Sequence, residues 1–155
     1  MAFQLSGLDP AYFGPLFALD DSALRGCGMR RVIADSDSGY PCRVSLQDAR
    51  RGEALLLLPY EHLPGPSPYR ASGPIFVRQG AGRVVAPVGV VPDYVARRLM
   101  SLRAYDAQDM MREAEVVDGQ QVAGTLARML EDPEIAFVHL HNALRGCFSC
   151  VARPA

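Results

Sequence analysis

Two of the chain's three histidines and two of its four cysteines fall in one stretch, "FVHLHNALRGCFSC" (137–150). If its start is a strand, residues two apart share a face, so Phe137, His139 and His141 lie on one side and Val138 and Leu140 on the other. Two imidazoles one pleat repeat apart can reach a common metal ion or a common small ligand. The H-x-H spacing alone is a weak metal signal, because structural zinc takes four ligands and catalytic zinc usually three. A third ligand would be His62 or Glu61, from "PYEH". Cys147 and Cys150 extend the pattern to H-x-H-x5-C-x-x-C, but residues three apart on a strand point to opposite faces. Both thiols cannot then meet one ion. The same geometry disfavours a redox C-x-x-C, which opens a helix. The expectation is no metal and no cofactor, with His62, His139 and His141 as weak metal candidates.

The catalytic candidates are His141, Cys147 and His62. What Cys147 can do depends on the register of a C-terminal hairpin. A four-residue loop (142–145) sets His141 opposite Gly146 and turns Cys147 away; a five-residue loop (142–146) sets Cys147 opposite His141, as a thiolate–imidazolium couple requires. Cys42, in "YPCRV", is a similar candidate. Against these stands a structural role, with neutral imidazoles tying loops to strands and cysteines packed as small apolar groups.

A broader pattern favours anion binding. Three segments join a buried-looking strand to polar groups: "YPCR", with Arg43; "PYEH" through "SPYRAS", with Tyr60, His62, Tyr69 and Arg70; and "HLHNALRG", with His139, His141, Asn142 and Arg145. Arginine, histidine and tyrosine hold carboxylate or phosphate by charge-assisted hydrogen bonds. The competing reading is that these arginines form ordinary ion pairs with the seventeen acidic residues. No phosphate-binding glycine motif, GxSxG or HExxH is present.

The elements that must position these residues read as strands with a few helices. Strands are expected at 3–8, 29–35, "CRVSL", "ALLLLPY", "IFVRQ", on both sides of "DAQD", and in the two arms of a hairpin around "NALR". Short helices are expected at 10–18 and 21–26, the second capped by Asp20 or Asp21, with further helices at 92–102 and 119–133. In the last of these, Val122, Leu126, Met129 and Leu130 form one apolar stripe. The segment 63–74 has four prolines and two glycines, which excludes helix or central strand and suggests a long functional loop. "RVVAPVGVV" suits a bent or edge segment. A length of 155 residues fits one domain. Net charge is −1, which gives no global pull toward nucleic acid or anionic lipid, and no apolar run is long enough to span a bilayer. No signal peptide is apparent, so the protein is expected in the cytoplasm with reduced thiols. All sixteen basic residues are arginine, which removes lysine Schiff-base chemistry.

Five blocks carry a resemblance: "GLDP", "YPCRVSLQDARRGEALLLLPYEH", "SPYRASGPIFVR", "LRAYDAQDMM" with "VVDG", and "HLHNALRGCF". Together they resemble a bacterial family known as a domain of unknown function, number 1203 in its series. The resemblance implies a small single-domain bacterial protein and brings no catalytic residues with it. The expected fold is α+β: a mostly antiparallel sheet or partly closed barrel, two or three packed helices and a C-terminal β-hairpin. The expected function is binding of a small anionic ligand, with 63–74 as rim or lid. The alternatives are a hydrolase- or transferase-type enzyme, metal-assisted through the three histidines or using Cys147 as nucleophile, and an interaction module without a ligand. Nothing fixes the oligomeric state.

Overall fold

The computed structural model describes residues 1–155. Its strands, in chain order, are β1 (Phe3–Ser6), β2 (Arg30–Ile33), β3 (Pro41–Cys42), β4 (Gln47–Asp48), β5 (Ala54–Leu63), β6 (Ala71–Arg78), β7 (Leu99–Tyr105), β8 (Met111–Asp118), β9 (Phe137–Asn142) and β10 (Phe148–Pro154). Three α-helices are short: α1 (Asp21–Gly26), α2 (Asp93–Ala96) and α3 (Val122–Met129). The strands form two open five-stranded sheets, ordered β1-β10-β9-β7-β8 and β2-β5-β6-β3-β4. All pairings are antiparallel except that of β3 with β6. The fold is α+β, and neither sheet closes into a barrel.

Alternation builds the first sheet. Met100, Leu102 and Ala104 of β7 and Val138 and Leu140 of β9 turn to the main core, where the α3 stripe of Val122, Leu126, Met129 and Leu130 covers them. All four stripe residues are at most 1% exposed. The opposite face carries Ser101, Arg103 and Tyr105 of β7 beside His141, His139 and Phe137 of β9, in direct register. The second sheet alternates likewise: Leu56 and Leu58 of β5 pack with Ile75 and Val77 of β6 against Phe13 and Leu24. Phe148, on β10 of the first sheet, enters this second core. The histidine-bearing face of the first sheet therefore looks toward the second.

Several expectations are corrected. "CRVSL" is not a strand: only Pro41–Cys42 is extended, 43–46 is a turn, and Leu46 takes a φ of +50°. The turn is set by partners far along the chain, through Arg43 O with Leu8 N and Val44 O with Val84 N. The helix at 92–102 stops after Ala96, because from Leu99 the backbone pairs with β8 and β9. The helix at 119–133 is a 3-10 turn (Gly119–Gln121) followed by α3, and 10–18 is two 3-10 turns, Pro10–Tyr12 and Gly14–Ala18. The proline-rich loop is shorter than expected, because β6 begins at Ala71 and includes Pro74. Pro74 lies opposite Pro59, and neither β2 nor β3 reaches that level, so the missing N–H groups cost no ladder bond. "RVVAPVGVV", by contrast, is an edge segment as expected: its backbone bonds along the outer edge of β1, through Gly7 N to Val84 O, Ala86 N to Leu5 O and Gly89 N to Phe3 O.

Candidate functional site

The hairpin takes neither of the two registers considered. β9 runs on through Asn142, whose N–H donates to Cys147 O, while Gly146 N–H donates back to Asn142 O. Gly146 has a φ of +78°, a left-handed conformation that glycine adopts without strain. His141 therefore stands opposite Phe148, not Cys147, and the direct cross-strand couple of Cys147 with His141 is overturned. A bulge follows: Phe148 pairs with His141 but Cys150 with Leu140, leaving Ser149 as the extra residue. The two cysteines separate as well. Cys150 is fully buried, and burial raises its thiol to about 12, whereas Cys147 is partly exposed.

His62 reaches the same place from the other sheet. It continues the inward face of Leu56, Leu58 and Tyr60. It also occupies a bulge, because Glu61 pairs with Ser72 and Leu63 with Ala71. Two sheets and two bulges thus bring the three histidines together around Phe148. His62 stacks on the Phe148 ring at 5.5 Å, and His139 and His141 meet it edge-on at 5.0 and 5.8 Å. The three imidazole centroids lie 4.9 Å (His62–His141), 5.9 Å (His62–His139) and 6.3 Å (His139–His141) apart.

The surroundings keep these rings neutral. Burial lowers His139 to about 3, helped by His141, His62, Arg153 and Arg103. Burial also lowers His141 to about 4 against an opposing hydrogen bond to Gly146. His62 is lowered by burial and then by Arg103. As they stand, no three side chains of ligating type are arranged to hold a metal ion.

A second feature lies beyond Asn142. A cleft of about 400 Å³ opens between the hairpin turn, the start of β7 and the second sheet. Its walls include Arg43, Arg97, Arg98 and Arg145, with Asn142 and Cys147, and an apolar side formed by Leu57, Phe76, Leu99 and Leu144. No acidic residue lines it. Arg97 and Arg98 both bind Asp48, at 2.5 and 2.7 Å, and that carboxylate is withdrawn from solvent. Arg43 is 1% exposed; its guanidinium donates to Phe148 O (2.7 Å), Pro41 O (2.5 Å) and Cys147 Sγ (3.0 Å). Asn142 Nδ2 also donates to Cys147 Sγ, at 3.6 Å. None of the ion pairs involves Arg43, Arg103 or Arg145.

The chain matches the model of the family described as a protein of unknown function (DUF1203) over residues 39–153. It belongs to the DUF1203 family. The matched part of this DUF1203 chain includes the cleft's lining residues and all three histidines. No curated protein matches the chain, and no solved structure does.

In this DUF1203 member the residues singled out from sequence divide among several places. Arg43, Asn142 and Arg145 line the cleft, as does Cys147. His62, His139 and His141 form the separate cluster. Tyr60 borders a smaller hollow of about 280 Å³ with Tyr12, Phe13 and Glu61. Arg70 pairs with Glu61 at 3.1 Å on the surface, and Tyr69 meets Tyr105 edge-on. Cys42 is buried and its sulfur accepts from Arg78 N–H. Of the segment 63–74 only Pro74, already within β6, lines the cleft; the loop 64–70 does not. Sequence reasoning missed Arg97 and Arg98, hidden inside an expected helix. It also missed Arg103, although "MSLRAY" alternates polar Ser101 and Arg103 with apolar neighbours and so carries the signal.

Proposed function

We propose that the protein binds a small anionic molecule, a carboxylate or phosphate ester with an apolar body, in the arginine-walled cleft. One observation carries this reading: four guanidinium groups and no carboxylate line a concave surface that also offers leucine and phenylalanine side chains. Arg145, exposed at the hairpin turn and outside every ion pair, is the side chain freest to grip an anion bidentately. Arg43, fixed by two carbonyls, supplies immobile positive charge at the cleft's inner end. The four unpaired cysteines support a cytoplasmic setting for this activity. The test is isothermal titration against a panel of aromatic and aliphatic carboxylates and phosphate monoesters. At least one is expected to bind, and Arg145→Ala should weaken it about tenfold or more, in line with loss of ~1.5–3 kcal/mol for a hydrogen bond to a charged group. No binding across the panel, or equal binding by the variant, would count against the reading.

A second reading is a thiol-dependent hydrolase or transferase at the same cleft. It is favoured by Cys147 Sγ, which lies in the wall and accepts hydrogen bonds from Arg43 and Asn142. Iodoacetamide should then alkylate Cys147 faster than a model thiol at neutral pH. A rate no faster than the model thiol removes this reading and leaves the binding role untouched.

A further inference from the structure

The histidine cluster is separate from the cleft, and it contains polar atoms with nothing to bond. Both ring nitrogens of His62, Nδ1 of His139 and Nε2 of His141 are buried without a hydrogen-bond partner. His139 is 5% exposed and His141 is not exposed at all. Leaving a buried polar atom unmet costs about 1–3 kcal/mol, so several of them in one place call for a common partner.

His141 decides what kind of partner is missing. Its Nδ1 lies 2.9 Å from the carbonyl oxygen of Gly146. That oxygen can only accept, so Nδ1 carries the proton and donates it. Nε2 is then a lone pair, sealed from water. Neutral His62 has one lone pair in either tautomer. Lone pairs of this kind are answered by a donor, a buried water included, or by a metal ion, and they repel an anion. No donor side chain reaches them. One metal ion would answer several at once.

We propose that His62, His139 and His141 bind a divalent late first-row metal ion of the zinc class, with His139 moving onto the ion to complete the site. With metal–nitrogen bonds of about 2.0–2.1 Å, two imidazoles on one tetrahedral ion have centroids about 5 Å apart. His62 and His141, at 4.9 Å, already stand at that separation. His139, at 5.9 and 6.3 Å from them, must swing inward by about 1 Å. Without that movement the three histidines do not make a three-ligand arrangement. The bulge at His62 leaves that residue without a cross-strand partner. The Nδ1–H bond to Gly146 is the kind of outer contact that orients a ligating imidazole. Arg103, which donates to Ser101 Oγ at 3.3 Å, stands beside the rings without a carboxylate partner. Its charge opposes a bare dication, so the bound ion is expected to carry an anion such as hydroxide at its open position.

The test uses full-length protein without a polyhistidine tag, stripped with chelator. Zinc chloride is titrated in competition with a chromogenic chelator, and cobalt(II) chloride is followed by visible absorption. The expected result is one zinc per chain with Kd on the order of 1 µM or tighter, together with the intense d–d bands of four-coordinate cobalt. His62→Ala, at a half-buried bulge position, should weaken zinc by at least about 100-fold. Zinc bound no more tightly by the wild type than by His62→Ala overturns the proposal. So do weak octahedral cobalt bands in the wild type, a readout that holds even if the variant does not fold. Ligand binding at the cleft enters neither measurement.

Discussion

His139 and His141 are buried bases, and burial makes the fold sensitive to acid. Their folded values, about 3 and about 4, lie below the ordinary 6.5, so between those limits the unfolded chain binds more protons than the folded one. Stability is then fully present above about pH 6.5 and falls as the pH drops toward the folded values. Each group contributes up to about 1.4 kcal/mol per pH unit, so the two together give a slope of roughly 2–3 kcal/mol per unit near pH 5. The groups facing them, Arg103, Arg153 and Arg43, are all cations, and none offers the imidazolium a counter-charge. Urea denaturation of chelator-treated protein from pH 7.5 to 4.5 (roughly the titration window) should show this loss. The double variant His139→Gln/His141→Gln should flatten the slope, whatever it does to stability at neutral pH.

At the level of elements, alternation was the legible signal. The even-numbered face of β5, from Leu56 to His62, and the split of β9 into Phe137, His139, His141 against Val138, Leu140 both follow from period two. The α3 stripe was equally clear. What misled were segments whose shape is set by distant partners. "CRVSL" is buried at all five positions, Cys42, Arg43, Val44, Ser45 and Leu46, so its burial imitates a strand although its bonds run to residues 8, 76 and 84 and not along one partner. The histidines were visible as candidates, but Arg97 and Arg98 were not, because their place on the cleft wall depends on α2 ending after one turn. Register was the other illegible quantity: β9 extends through Asn142, so the loop is 143–146 and His141 meets Phe148, a start one residue later than either loop considered. Gly146 holds that pairing. Gly146→Val forces a β-branched residue into left-handed φ and should cost about 1–2 kcal/mol, read as a lowered denaturation midpoint with unchanged m-value.

Across the whole molecule, side chains of both sheets interlock between them. Phe148 crosses from the first sheet into the second core, and Arg43 crosses the other way to hold Phe148 O. Arg43→Met keeps most of the apolar stem but leaves Phe148 O and Pro41 O without donors, and should lower stability by about 2–4 kcal/mol. Circular dichroism and tyrosine fluorescence should still report one coincident transition. If they separate in the variant but not in the wild type, Arg43 is the link that makes the sheets unfold together.

The two edges of the first sheet are closed by different means. An open strand edge is a template on which another chain can add, and repeated addition leads to aggregation. Along β1 the edge is occupied by the chain itself, through the bonds of residues 84–89 to Phe3, Leu5 and Gly7. Along β8 it is guarded by charge, with Arg112, Glu113, Glu115 and Asp118 on the strand and Arg128 of α3 bridging Glu113 and Glu115. Charge screening by salt reaches only the second of these guards. Concentrated salt therefore exposes β8 to edge-to-edge association while leaving β1 covered, and a deletion within 84–89 does the reverse.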